Sequence, residues 1–116
     1  MASVSTCVFC KIAQKEVQSD VLYEDTDLVA FRDVNPKAPV HILVVPKEHL
    51  SDHCALKEKD ARWLGNAHIL VNHLVKELQI EDGFRLVINC GEKAGQTVPH
   101  FHIHLMGGRD FRWPPG

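Results

Sequence analysis

His100-Phe101-His102-Ile103-His104 decides how the rest of this chain reads. In an extended strand, alternate side chains point to one face. Three imidazoles would line a single surface, and Phe101, Ile103 and Leu105 would turn the other way into a core. Neutral imidazole is a metal ligand and a nucleophile, and it titrates near physiological pH. A strand carrying three of them on one side points to metal binding, to phosphorus chemistry, or to both. The plain alternatives are a surface strand with solvated histidines and a His-x-His metal site of the catalytic-zinc type.

Working outward, residues 91–99 form a polar, glycine-containing loop that feeds directly into the histidine strand. Residues 84–89 read as a strand before it. Over 58–78, Ala61, Leu64, His68, Val71, Val75 and Leu78 recur at helical spacing, joined by Ala67, Leu70 and Leu74. This predicts an amphipathic helix of about five turns, broken by Gly83. Residues 41–45 are a β-rich run closed by Pro46, and Asn35-Pro36-Lys37-Ala38-Pro39 stops regular structure ahead of it. Residues 21–24 and 28–32 read as short strands around the turn Asp25-Thr26-Asp27. Residues 7–17 read as a short helix. Strands joined by short turns, plus one long helix, predict an α+β fold with a mainly antiparallel sheet. His68 and His73 share no helix face and read as structural or solvated. His53 reads as exposed, and Trp63 as packing on the sheet or at a subunit seam.

The 116 residues suit one domain, 1–116, with a modest core. An apolar share of 45% and a charged share of 24% are ordinary for a soluble globular protein. The net charge of -2 argues against non-specific nucleic-acid binding. No run approaches the roughly 20 apolar residues that cross a bilayer. Met1 to Thr6 lack a basic and an apolar region, so no signal peptide is visible. The expected location is cytoplasmic, with the nucleus also open, and the four cysteines should be reduced there. Cys54 and Cys90 read as isolated, buried small hydrophobes. Cys7-x-x-Cys10 places two thiols within reach of one metal ion or of each other. Further ligands would have to come from afar.

With these residues in view, His100-Phe101-His102-Ile103-His104-Leu105-Met106 resembles the His-φ-His-φ-His-φ-φ signature of the histidine triad (HIT) superfamily, where φ is apolar. Ala30-Phe31-Arg32-Asp33-Val34, the run from Pro39 to Lys47, and the run from Asn89 to Thr97 resemble its other blocks in the same order. The ending, Gly107 to Gly116 with Trp113-Pro114-Pro115-Gly116, is similar to that of the Hint branch, the histidine triad nucleotide-binding proteins. The resemblance implies a HIT-like fold with a five-stranded sheet, a homodimer, binding of a purine nucleotide (AMP and its phosphoramidates) and nucleotidyl hydrolysis.

The chemistry of the residues agrees with that implication. A nucleophile splits displacement at an α-phosphate into two easier steps. His102, mid-strand between two histidines, would attack phosphorus with one ring nitrogen. Its other nitrogen should donate to a backbone carbonyl, which sets the tautomer. Water would then release the nucleoside monophosphate. His104, together with His41 from the neighbouring strand, would donate to phosphate oxygens. No metal is required for that scheme. Gly91 and Gly95 permit positive φ and close approach of amides to an anion, and Gln96 and Thr97 add side-chain donors. The resemblance implies that the Thr97 hydroxyl helps protonate the leaving group. It likewise implies that Asn89 contacts ribose or phosphate, that Asp33 binds the ribose hydroxyls, and that Val34 lies beside the base. The rival role for Asp33 is a turn or cap.

Some HIT proteins hold a structural zinc through an N-terminal Cys-x-x-Cys, a histidine after the Pro-Lys block and the first triad histidine. The resemblance implies Cys7, Cys10, His49 and His100 as that set here, and four protein ligands close the site. The rival reading is two ordinary thiols on a short helix. Two function classes follow. One is a purine nucleoside phosphoramidate hydrolase of the adenosine 5′-monophosphoramidase type, with a dinucleoside polyphosphate hydrolase as its near rival. The other is a nucleotide-binding module for regulation or scaffolding with little turnover.

Overall fold

The computed structural model describes residues 6–116; Met1 to Ser5, on which part of the signal-peptide reading rests, lie outside the described residues. Among the described residues the chain forms α1 (Val8–Ala13), β1 (Val21–Glu24), β2 (Leu28–Arg32), β3 (Val40–Pro46), α2 (Ala61–Glu77), β4 (Phe84–Val87) and β5 (Ile103–Gly107). The strands make one sheet in the order β1-β2-β3-β5-β4, and every neighbouring pair is antiparallel. This is the expected α+β architecture, with one long helix and a short N-terminal one. None of the described helices is long and apolar enough to cross a membrane.

Alternation along the strands splits the sheet into two apolar faces. Leu28, Ala30, Ile42, Val44, Ile103 and Leu105 turn toward α2 and meet its Ala67, Leu70, Val71, Leu74 and Val75. Val29, Phe31, Leu43 and Val45 turn the other way and are covered by Phe9 and Ile12 of α1, with Cys7 and Cys10. Because both faces are covered, β2 and β3 are buried nearly throughout instead of alternating buried and exposed. Phe101 belongs to the α2 side, 1% exposed, with the Trp63 ring edge-on at 5.6 Å. Trp63 also donates from Nε1 to Asp60 Oδ1 at 2.9 Å, which ties the first turn of α2 to the residue just before it.

Several element ends differ from the sequence expectation, each for a local reason. The first helix stops at Ala13 instead of Val17, because Lys15 takes a left-handed φ of 63° and Glu16 N–H turns back to Lys11 O at 2.8 Å. Residues 58–60 are a 3₁₀ turn ahead of α2. Gln79, at φ 58°, is what stops α2, with Ile80 N–H closing onto Val75 O. Gly83 lies in the turn beyond. The fourth strand pairs only as far as Val87, not Asn89. The fifth begins at Ile103, so His100 and His102 precede the ladder, and Phe101 N–H donates instead to Leu50 O at 2.6 Å. Gly107 ends β5 where a Cβ would lie 2.6 Å from the Ile80 side chain, which would have to shift to admit one.

Candidate functional site

Although His100 and His102 lie outside the ladder, the alternation continues through them. Phe101, Ile103 and Leu105 enter the α2 core, and the three imidazoles lie toward α1. His102 and His104 have ring centroids 4.8 Å apart, and Phe9 packs edge-on to His102 at 5.2 Å and to His100 at 5.8 Å. Phe9 was not singled out in the sequence, yet it sits between the two cysteines of the Cys-x-x-Cys motif.

Hydrogen bonds to backbone groups fix the tautomers. A carbonyl oxygen only accepts, so His102 donates from Nδ1 to His100 O at 2.7 Å, and its Nε2 keeps a lone pair. By the same logic His100 donates from Nε2 to Pro46 O at 2.8 Å, which leaves Nδ1 as an acceptor. Lys37 N–H donates to His41 Nδ1 at 3.0 Å, so neutral His41 carries its proton on Nε2 and passes a hydrogen bond to His104 Nδ1 at 2.9 Å. Neutral His104 is therefore protonated on Nε2. The two adjacent rings end up complementary, His102 with a free basic nitrogen and His104 with a free N–H. His41 does not offer its Nε2 proton freely to a phosphate, as the sequence reading supposed. That proton is engaged with His104, and Asp33 Oδ2 lies 3.4 Å away.

A cavity of about 310 Å³ opens beside these rings. Asp33, Val34, Thr97, His102 and His104 line it, with an apolar wall from Ile12, Phe31 and Leu43. The wall was missed, but register could have found it, since Phe31 pairs with Leu43 and Leu43 with His104 across the sheet. Asp33 Oδ1 caps the turn by accepting Asn35 N–H at 2.8 Å, while Oδ2 faces His41 at 3.4 Å. Asn89, Gly95 and Gln96 are not among the lining residues. Gln96 instead braces its own loop, accepting Gly91 N–H at 2.9 Å and donating to Ser51 O at 2.8 Å and Val98 O at 3.0 Å. Gly91 and Gly95 both take φ of 90°, as the turn requires. A larger depression of about 450 Å³ between α2 and β1 has only His73 among the imidazoles.

A second cluster adjoins the first. The ligand atoms of Cys7, Cys10, His49 and His100 all lie within 4.8 Å of one another. His100 Nδ1 is 3.2 Å from Cys7 Sγ and 3.5 Å from Cys10 Sγ, and His49 Nδ1 is 3.3 Å from Cys10 Sγ. Tetrahedral zinc with ordinary Zn–S and Zn–N bonds requires S···N edges of about 3.5 Å. The donor set therefore fits, and the His100 tautomer leaves the correct nitrogen free, with its other N–H held by a carbonyl. Burial, then the neighbouring Cys7, pushes the Cys10 thiol up to about 12, so this thiol would ionise only against a cation. Cys54 and Cys90 are not the buried hydrophobes expected: the first is exposed, the second half-buried. His53, His68 and His73 are exposed.

Family comparison agrees with this geometry. The model described as "Scavenger mRNA decapping enzyme C-term binding" matches residues 6–111. A HIT-like protein of Synechocystis sp. is 46% identical over 109 residues, 94% of this chain and 96% of that protein. A "14 kDa zinc-binding protein" of Zea mays is 44% identical over 97% of this chain and 89% of its own length. Among solved structures, a HIT family hydrolase from Legionella pneumophila superposes with a TM-score of 0.93 at 43% identity, covering 96% of this chain and all (100%) of that one. A HIT family hydrolase from Clostridium thermocellum gives 0.91 at 44%, covering 95% and 96%. A fold with this sheet and an imidazole row beside a cavity defines a histidine-triad protein. The chain belongs to the HIT superfamily, within the family of the decapping-enzyme C-terminal region.

Burial lowers His102 and His41 from the usual imidazole value, and pushes His100 and His104 down to about 4. All four are therefore neutral at pH 7. For His104 the unfolded chain takes a proton near the ordinary value of 6.5, and the folded chain only near 4. Between those values the unfolded state binds more protons, so stability falls as pH falls from 6.5 toward 4. Urea midpoints at pH 7 and pH 5 check this: His104→Asn should lose less on acidification than the native chain. An equal or larger loss contradicts it.

Proposed function

We propose that this protein is a purine nucleoside phosphoramidate hydrolase of the adenosine 5′-monophosphoramidase type. The observation that carries the reading is His102, with Nδ1–H held by a backbone carbonyl and a neutral ring lining a cavity beside Asp33, Thr97 and His104. The solved relatives from Legionella pneumophila and Clostridium thermocellum are named HIT family hydrolases, which supports hydrolysis in general.

In the proposed reaction the apolar wall of Ile12, Phe31 and Leu43 takes the base, with Val34 beside it, and Asp33 takes the ribose hydroxyls. His102 Nε2 attacks the α-phosphorus, and a nitrogen–phosphorus bond to the ring forms as the bond to the amine breaks. The amine departs with a proton passed through the Thr97 hydroxyl. His104 Nε2–H donates to the phosphoryl oxygens as charge gathers there. His41, a positioning residue, holds His104 in that tautomer. Water then attacks the nucleotidyl-imidazole, AMP leaves, and the ring returns to its starting state. In this reading Cys7, Cys10, His49 and His100 would hold a structural zinc, which would anchor α1 beside the triad. The relative from Zea mays that is named a zinc-binding protein supports that part. The proposal also includes a homodimer, for which the open edge of β4 and the exposed Ile69 on α2 offer surfaces.

An adenosine 5′-phosphoramidate bearing a fluorescent amine tests the nucleophile. The native chain should release amine, and His102→Ala should be slower by about 10³-fold or more. Acid-quenched native protein should also carry AMP on His102 by mass spectrometry. Equal turnover in both chains removes the assignment.

Metal analysis tests the other half. One zinc per native chain is expected and none in Cys7→Ser, with chelation lowering the thermal midpoint by about 5 °C or more. Metal-free native protein of unchanged stability contradicts the site.

A further inference from the structure

Cys54 and Cys90 belong to neither cluster described above. They are 36 positions apart in sequence, yet their Sγ atoms lie 3.5 Å apart. Cys54 is exposed on the 3₁₀ turn His53–Ala55, whose N-cap Asp52 accepts Ala55 N–H at 3.2 Å. Cys90 stands at the start of the loop that leads to Thr97. The frame around them is already set, because Gln96 ties that loop to Ser51 O at 2.8 Å and to Gly91 N–H at 2.9 Å. A disulfide needs sulfur atoms about 2.0 Å apart, so the two have about 1.5 Å to close from 3.5 Å.

We propose that Cys54 and Cys90 form a reversible oxidation site, closing an intramolecular disulfide by exchange with a small-molecule disulfide such as oxidised glutathione. The exposed Cys54 gives up its proton, and its sulfur attacks one sulfur of the reagent; the reagent's S–S bond breaks and one small thiol leaves. Cys90, waiting 3.5 Å away, loses its proton and attacks the protein-bound sulfur of the mixed disulfide, and a second small thiol leaves. Two protein thiols thereby lose two electrons and two protons, and the reagent gains them as two thiols. The partner at contact distance makes the second step intramolecular, so the mixed disulfide is short-lived.

Local electrostatics favour the bridged form. The hydrogen bond with Cys90, the Cys90 charge and the Asp52 carboxylate all push the Cys54 thiol up. Reduced Cys54 therefore lacks the stabilised thiolate that makes some dithiols strong oxidants. Cys7 and Cys10 are each 2% exposed, which shields them from the same reagent. The bridge would clamp the loop 91–99 onto the 51–55 segment at a second point beside the Gln96 brace. The inference stands on this geometry alone and does not depend on the hydrolase reading.

Zinc-replete full-length protein treated with oxidised glutathione, digested without reduction and mapped by mass spectrometry, tests this. A peptide pair joined through Cys54 and Cys90 is expected, lost again on dithiothreitol. With it, amide exchange across 91–97 should slow, and the thermal midpoint should rise by about 5 °C. In Cys90→Ser, Cys54 should instead keep a stable glutathione adduct, with no such rise. Separate glutathione adducts on both thiols of the native chain would overturn the proposal. So would a Cys7–Cys10 bridge formed in preference to the Cys54–Cys90 one.

Discussion

One residue, His100, joins the two clusters on which the site depends. Its side chain is fully buried, with Nε2–H on Pro46 O and Nδ1 turned to the cysteines. Its own carbonyl accepts Nδ1–H of His102. Holding His100 therefore holds the His102 ring, and leaves the opposite nitrogen of that ring bearing a lone pair. The Cys-x-x-Cys helix completes the constraint, because Phe9, set between the cysteines, presses edge-on to both rings. The cysteine–histidine cluster and the imidazole row are mechanically one unit.

Around this unit the sheet arranges protons without charging any imidazole. Burial makes a charged ring costly here, and the chain from Lys37 N–H through His41 to His104 assigns each proton by hydrogen bonding alone. A neutral acceptor and a neutral donor then stand side by side facing one cavity. That pairing suits displacement at phosphorus, where the attacking group needs a lone pair and the oxygens need a donor.

Much of this was legible in the sequence wherever period-2 alternation carried it. Strands β2 and β3 were located to within a residue, and Phe101, Ile103 and Leu105 fell on the core side because the pleat extends beyond the hydrogen-bonded ladder. Chain ends of elements were less legible. Lys15 and Gln79 adopt left-handed backbone that their side chains do not advertise, and Gly83 drew the helix stop to itself. Tertiary placement was least legible. Gln96 offers the same amide whether it faces a ligand or braces a loop, and Ser51 is 45 residues away. His49 came from family resemblance, since nothing in its own neighbourhood marks it as a partner of Cys10. The meeting of Cys54 and Cys90 is likewise a product of loop placement.

The central claim is the protonation pattern of the imidazole row. Long-range ¹H–¹⁵N spectra of ¹⁵N-histidine-labelled protein at pH 7 read it directly, with each ring assigned by substitution. His102 should be neutral with its proton on Nδ1, and His104 neutral with its proton on Nε2. A His102 ring protonated on Nε2, or carrying both protons at that pH, contradicts the account.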